Sequence, residues 1–84
     1  MVEWPLWWNW ELELSQHLFK RMIDRGFNET DVRQMLENAS GFHANHEPGR
    51  FVVLSRHEGT SFELIVEPLM IEELLLVVTA YPIG

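Results

Sequence analysis

The stretch from Leu74 to Tyr81, read L-L-L-V-V-T-A-Y, decides the fold. Its first five residues are all apolar, and an apolar run this short between polar flanks is typical of a strand that is buried on both faces. We therefore predict a strand over 71–81, the longest in the chain and central in its sheet. Near the end of such a strand Thr79 and Tyr81 point to the same face, because side chains alternate.

The residues before this strand alternate between apolar and polar with a period of two, which indicates an antiparallel meander. Two turn signals divide the alternating region. Pro48-Gly49 suits a type II turn, and Glu58-Gly59 suits a two-residue hairpin, although Glu is a weaker first residue than Asn or Asp. The predicted strands before the last one are 42–46, 50–57 and 60–67, the third ended by Pro68.

Two helices are predicted upstream of the sheet. Ser15 suits an N-cap and Gly26 a C-cap for the first helix. Asn28 suits the cap of the second helix, with Asp31 placed for reciprocal capping. The predicted buried stripes are Leu18, Phe19, Met22 and Ile23 on the first helix, and Val32, Met35, Leu36 and Ala39 on the second.

The N-terminal segment contains all of the chain's tryptophans. From Trp4 to Leu14 every second residue is apolar, which predicts a half-buried extended strand. Pro5 and the doubled Trp7-Trp8 interrupt this alternation in the first third of the segment. The tryptophans either cover the core, which we favour, or form a dimer or partner surface. The expected fold is one α+β domain, 1–84, with a Trp-rich extended segment at 1–13. Its core at 14–82 has two helices packed on an antiparallel four-stranded meander sheet.

Composition excludes several functions. The chain has 84 residues, no cysteine and a formal net charge of −7. Disulfides, thiolate chemistry and Cys-based zinc sites are therefore excluded. Acidity argues against binding nucleic acid through broad charge attraction, although a local basic cleft can still attract an anion. The longest apolar run is far below the roughly 20 residues of a membrane span, and no secretory signal is visible, so we expect a cytoplasmic protein with no membrane contact.

The first helix collects half of the chain's basic residues. His17, Arg21 and Arg25 form a row at the border of its apolar stripe, one turn apart. Such a row is either a solvated helix edge or one wall of a groove. Arg25, next to the Gly26 cap, also suits the helix C-terminus, where a cation opposes the macrodipole.

The remaining histidines do not predict a metal site. His43 and His46 lie on opposite faces of an extended strand, which is poor for joint metal ligation. His46-Glu47 could converge with His57 across a hairpin, but the sequence has no closed ligand set with zinc-like spacing. Nucleotide-binding and hydrolase motifs are also absent from the sequence. We therefore predict no metal and no cofactor.

Four segments together resemble a known family. They are S-Q-H-L-F-K-R-M-I-D-R-G-F-N-E-T-D-V-R-Q-M-L-E-N at 15–38, P-G-R-F-V-V-L at 48–54, F-E-L-I-V-E-P at 62–68 and V-V-T-A-Y-P at 77–82. The chain, over 12–82, resembles a family of small bacterial proteins described as a domain of unknown function. That family is similar to toxins of the barnase–EndoU–colicin–RelE superfamily. The resemblance implies two N-terminal helices on an antiparallel four-stranded sheet.

The resemblance also implies a function, metal-independent cleavage of RNA by a toxin of the bacterial toxin–antitoxin type. His17 then corresponds to the general acid or base, Arg21 and Arg50 to phosphate-holding cations, and Thr79 and Tyr81 to the final strand. Tyr81 is expected to act as an acid or to donate to phosphate. The implied partners are RNA and a cognate antitoxin protein.

A second hypothesis belongs to a different class of function. The chain is then a non-enzymatic interaction module, expected to be a homodimer, that uses the tryptophan segment or an uncovered sheet edge as its interface. The two hypotheses are compatible, because a dimer can also be a nuclease.

Overall fold

The computed structural model describes residues 3–83, which form an α+β fold of two helices and a five-stranded sheet. A 3-10 helix at Leu6–Asn9 precedes the first strand. The strands and helices that follow are β1 (Glu11–Leu14), α1 (Gln16–Arg25), α2 (Glu29–Glu37), β2 (Gly41–Ala44), β3 (Phe51–His57), β4 (Thr60–Leu69) and β5 (Leu74–Pro82).

The sheet has the order β1-β5-β4-β3-β2. Strands β2 to β5 form the predicted antiparallel meander. Strand β1 adds a fifth strand, which pairs in parallel with the Leu74–Val77 half of β5. The sheet is therefore mixed, and the prediction of a four-stranded antiparallel sheet beside a separate extended segment is only partly confirmed. The last strand was predicted to be central, and β5 does have a neighbouring strand on each side, although β4 is the middle strand. The prediction that the last strand is the longest is wrong, because β4 has 10 residues and β5 has 9.

The first part of the predicted N-terminal strand is wrong. Residues Leu6–Asn9 form a 3-10 turn in which the Trp8 amide donates to the Pro5 carbonyl at 3.0 Å. Turning the chain here stacks the Trp4 and Trp8 rings, whose centroids lie 4.3 Å apart. An extended strand would place these two rings too far apart to touch, since four residues span about 13 Å.

Trp7, Trp8 and Trp10 cover the core, as favoured from the sequence, whereas Trp4 is exposed and stacks on Trp8. Trp7 is only 4% exposed, and its ring packs against Phe42 and Phe51 of the sheet. Trp8 and Trp10 pack against the same core while partly exposed. The aromatic segment therefore closes one end of the core.

Helix α1 begins and ends as predicted, and α2 begins as predicted but ends at Glu37, so Ala39 of its predicted stripe lies outside the helix. The Ser15 side chain accepts from the Leu18 amide at 3.0 Å, and α1 stops at Gly26, whose φ of 74° lies in the left-handed region. Asn28 and Asp31 form the predicted capping box of α2. These contacts join residues three apart, which is why local sequence could predict them.

The buried stripe of α1 is narrower than predicted. Leu18 and Met22 are buried, but Phe19 is 50% exposed and Ile23 is 83% exposed. Helix α1 packs mainly on β5, so only one side of it is covered. In α2, by contrast, Val32, Met35 and Leu36 are buried as predicted.

Each strand of the meander differs in its bounds from the prediction: β2 ends at Ala44 and β3 begins at Phe51, while the larger changes lie on either side of the β4–β5 turn. Strand β4 continues through Pro68 to Leu69. This is possible because β3 pairs with β4 only as far as Val66, so Pro68 lies where β4 has no neighbour on that side. Strand β5 begins at Leu74 because the preceding residues turn, with Glu73 at a φ of 54°.

The register of the strands separates two faces of the sheet. The face that carries Val53, Leu64, Val66 and Val77 is covered by the helices and the aromatic segment, and we call it the covered face. The opposite face is called the open face, and its residues follow from strand alternation. They are Glu11, Glu13, Gly41, His43, Val52, Leu54, Arg56, Ser61, Glu63, Ile65, Glu67, Leu69, Leu74, Leu76, Thr79 and Tyr81.

An irregularity in β5 decides where its last residues point. Val66 pairs with Val77 while Ile65 pairs with Thr79, so Val78 is an extra residue in the ladder. Such a bulge shifts the alternation by one position. It places Thr79 and Tyr81 on the open face, opposite to the helices. Within the described residues, neither helix is long and apolar enough to cross a membrane.

Candidate functional site

His17 and Arg21 lie together on α1. With Lys20 and Asp24 they line a shallow cavity of about 220 Å³ that is formed by this helix alone. His17 is exposed and Arg21 is partly buried. Two cations and an imidazole suit an anion, while the carboxylate of Asp24 reduces the positive charge of the cavity.

Arg25, the third residue of the predicted row, contributes to a different surface. It lies in the last turn of α1, next to the Gly26 cap, and lines a cavity with Asp31 and His57. This position at the helix C-terminus matches its predicted favourable interaction with the helix dipole.

Arg50 is held by two carboxylates. Its Nε donates to Glu67 at 2.9 Å, and a terminal nitrogen donates to Glu47 at 2.8 Å. The hydrogen bond that Arg50 donates to Glu67 raises the pKa of the guanidinium, with a further electrostatic contribution from Glu47. A phosphate that approached Arg50 would have to compete with both carboxylates.

Tyr81 and Thr79 share the open face as predicted from their spacing. The Tyr81 hydroxyl donates to Glu63 at 2.7 Å, and this bond, aided by partial burial, raises the pKa of the phenol. A raised pKa makes Tyr81 a weaker acid than an ordinary tyrosine. The Thr79 hydroxyl oxygen is buried and, within residues 3–83, has no hydrogen-bond partner.

The five predicted site residues do not converge on one point. Glu63 and Glu67, which hold Tyr81 and Arg50, are separated along β4 by four residues of about 3.3 Å each, or about 13 Å. Helix α1 packs on the covered face, whereas Thr79 lies on the open face. The structure therefore brings together the pair on α1 and the pair on β5, and leaves Arg50 apart. The roles of these residues in RNA cleavage stay predictions.

A third group of polar side chains was not predicted from the sequence. His57 lies with its Nε2 3.0 Å from Asp31 and 3.8 Å from Glu58. The hairpin places Glu58 beside His57, but Asp31 comes from α2, far away in the chain. The one local signal was a Glu at a turn position that usually takes Asn, Asp or Gly.

The open face is apolar along its middle. On this face Val52 is buried, and Leu54, Ile65 and Leu76 are partly exposed. Apolar side chains continue onto the β4–β5 turn, where Met70 and Ile71 are 64% and 95% exposed. The open face is therefore an apolar surface that no helix of this fold covers.

Charge on the open face is mainly acidic. Glu11 and Glu13 are exposed on β1 and, within the described part of the chain, make no ion pair. Arg56 is held by the Gly59 carbonyl at 2.9 Å and by Ser61. Arg50 lies at the border of this face and is paired with carboxylates. The available charge is thus negative.

Comparison of the chain with protein-family models, with curated proteins and with solved structures gave no match.

Proposed function

We propose that this protein is a non-enzymatic interaction module whose open face binds a partner protein. The partner presents an apolar surface bordered by basic side chains. The observation that carries the proposal is an apolar sheet face, opposite to the helices, whose β1 edge has two exposed carboxylates that make no ion pair with any residue of 3–83.

Apolar area supplies the affinity. A sheet with one solvated face normally alternates apolar and polar residues, so that polar side chains meet water. Here Leu54, Ile65 and Leu76 occupy the positions that would be polar. Covering them stabilises a complex by about 25 cal/mol for each Å² of apolar area removed from water.

Charge selects the partner. Glu11 and Glu13 attract a basic partner and repel phosphates, and the chain as a whole carries a charge of −7. A second copy of the chain would bring like charges together at the same surface. A basic protein surface is therefore favoured over both nucleic acid and self-association at low salt.

Amphipathic helical peptides test this proposal. We would follow amide chemical shifts by NMR while adding a Leu/Lys peptide or a matched Leu/Glu peptide. The Leu/Lys peptide is expected to perturb residues of β1, β4 and β5, and the Leu/Glu peptide is not. Ile65→Ser should weaken the interaction, while Phe19→Ser, which removes an exposed apolar side chain from α1, should not.

Two results would contradict the interaction proposal. One is equal binding of both peptides. The other is a set of shift changes confined to α1 and α2.

RNA cleavage is a second proposal, and it rests on the cavity of α1. His17, Lys20 and Arg21 line one cavity there, and they are the residue types that take up a proton and hold a phosphate. In this proposal His17 accepts the proton of the ribose 2′-hydroxyl, whose oxygen attacks the phosphorus of the phosphate held by Arg21. The bond from phosphorus to the 5′-oxygen breaks, the leaving oxygen takes a proton from water, and a 2′,3′-cyclic phosphate remains. Thr79, Tyr81 and Arg50 would act only on more distant parts of the RNA. Such an enzyme would suit a bacterial toxin that a cognate antitoxin restrains in the cytoplasm.

Incubation of the purified protein with RNA in EDTA tests the second proposal. The wild-type chain is expected to cleave, His17→Ala to lose activity, and Arg21→Ala to lose about a hundredfold or more. His46→Ala is the matched control, because His46 is equally exposed but lies outside the cavity. Intact RNA at high protein concentration, or cleavage that persists in His17→Ala, rejects the proposal.

A further inference from the structure

Three metal-binding side chains meet where α2 begins beside the β3–β4 hairpin. Asp31, His57 and Glu58 each offer one donor atom, and the three atoms lie within 4.8 Å of one another. His57 Nε2 is 3.0 Å from an Asp31 oxygen and 3.8 Å from a Glu58 oxygen.

These separations fit one divalent ion. Zinc binds nitrogen and carboxylate oxygen at about 2.1 Å, so two ligands at tetrahedral angles are about 3.4 Å apart. The separations of 3.0 and 3.8 Å lie on either side of that value. An ion can therefore be accommodated by small side-chain rotations.

Two of the three ligands are already fixed. The His57 side chain is only 9% exposed, and its ring packs edge-on against Phe62. The second oxygen of Asp31 accepts from the Asn28 amide at 2.8 Å, which orients the carboxylate. Contacts of this kind hold metal ligands in place in known sites.

Glu58 is in an unfavourable backbone conformation. Its φ is 50°, and Gly59 follows at 81°, so both turn residues are left-handed. Asn, Asp or Gly adopts this conformation with less strain than Glu. The longer Glu side chain brings its carboxylate back to His57, and strain retained at one residue points to a function for that residue.

We propose that Asp31, His57 and Glu58 bind a divalent transition-metal ion such as Zn²⁺, with the remaining positions filled by water. The adjoining cavity, about 340 Å³ and open to solvent, has room for that water. Arg25 lines the same cavity and disfavours a cation there, so the three ligands must outweigh it. The bound ion ties α2 to the hairpin. This site is independent of both proposed functions.

Cobalt(II) titration of the metal-free full chain tests the site. Binding is expected to produce visible absorption from a low-coordinate Co²⁺ centre, and excess Zn²⁺ should displace it. Glu58→Gln keeps the fold and the turn length but removes a charged ligand, so we expect roughly tenfold weaker binding or more. His43→Ala and His46→Ala are controls that should bind as the wild type does.

Thermal unfolding supplies a second measurement. Zn²⁺ should raise the Tm of the wild-type chain and of the two control variants, because a ligand of the native state stabilises it. Mg²⁺ should have little effect, since it prefers six oxygen ligands. His57→Asn should lose the Zn²⁺ response, and if it fails to fold, Glu58→Gln still decides. No Zn²⁺ response in the wild type, or an undiminished response in Glu58→Gln, overturns the proposal.

Discussion

The buried and partly buried hydroxyl groups of this fold differ in whether they have hydrogen-bond partners. The buried Ser55 hydroxyl donates to the Met35 carbonyl and so joins β3 to α2. The Ser15 hydroxyl donates to the Val78 carbonyl at the bulge of β5, besides capping α1. Thr79 is different, because its buried hydroxyl has no partner within residues 3–83. A buried polar group without a partner costs about 1–3 kcal/mol.

Thr79→Val therefore should stabilise the protein. Valine keeps the shape and the β-branch but removes the unpaired oxygen, so we expect the free energy of unfolding to rise by about 1 kcal/mol. Urea denaturation measures this change. Ser55→Ala is the matched control and should destabilise, because it breaks a buried hydrogen bond. Equal losses in both variants would contradict the assignment of Thr79 as unpaired.

The titration of Tyr81 can be followed directly, because it is the chain's one tyrosine. Its pKa is raised by Glu63, so absorbance near 295 nm should titrate above the ordinary midpoint of about 10. The pKa of Tyr81 is higher in the folded protein than in the unfolded chain. The stabilisation from its hydrogen bond to Glu63 is therefore complete at pH below the unfolded-state pKa, and it is lost as pH rises through the folded-state pKa. In Glu63→Gln the midpoint should fall. An unchanged midpoint in that variant would refute the Tyr81–Glu63 contact.

Among the elements, the β3–β4 hairpin carries the clearest conflict between local preference and sequence. Glu58 occupies the left-handed position that Asn favours. In EDTA, Glu58→Asn should therefore stabilise the fold by about 1 kcal/mol, as measured by chemical denaturation. Gly59→Ala should destabilise it, because a left-handed alanine costs about 1–2 kcal/mol. A destabilised Glu58→Asn variant in EDTA would show that Glu58 is kept for folding.

How well each element could be predicted depended on the distance of its contacts along the chain. Caps and turns, such as Ser15 with Leu18 or the Glu58-Gly59 hairpin, were predicted because they join near neighbours. The pairing of Glu11 with Leu74 was not predicted, because periodicity does not name a strand's partner. The exposure of Ile23 was missed for the same reason, since it depends on what packs beside α1.

Prediction of the candidate site also depended on the distance of its contacts along the chain. Spacing correctly placed His17 near Arg21, and Thr79 beside Tyr81, because each pair lies on one element. Whether separate elements meet depends on the tertiary fold. The bulge at Val78 then determines which face Thr79 takes, and no local signal in the sequence marks that extra residue.

For the whole molecule, net charge and the apolar open face have opposite effects on self-association. Apolar area favours association, whereas a charge of −7 opposes the approach of a second copy. We expect a monomer at neutral pH and low ionic strength, measured by light scattering after size exclusion. In about 1 M salt the screening length falls to about 3 Å. A homodimer should then form through the open face, and not through the tryptophan segment or the sheet edge that the sequence suggested.

Ile65→Arg distinguishes this surface from others. The variant should remain monomeric in high salt, because it places a charge in the middle of the apolar face. Phe19→Arg should dimerise as the wild type does. A dimer that is already present at low salt and survives in Ile65→Arg would place the contact elsewhere.

The parallel pairing of β1 with β5 has a consequence for the order in which the protein is built. Glu11 pairs with Leu74, so β1 cannot join the sheet until β5, far along the chain, has been synthesised. The nascent chain can form its two helices while the ribosome still holds the C-terminal strand. Until that strand emerges, the aromatic segment and β1 lack the neighbour that fixes them in the sheet. Addition of β1 to the sheet is therefore a late step in folding, and the long closed loop should make it slower than helix formation.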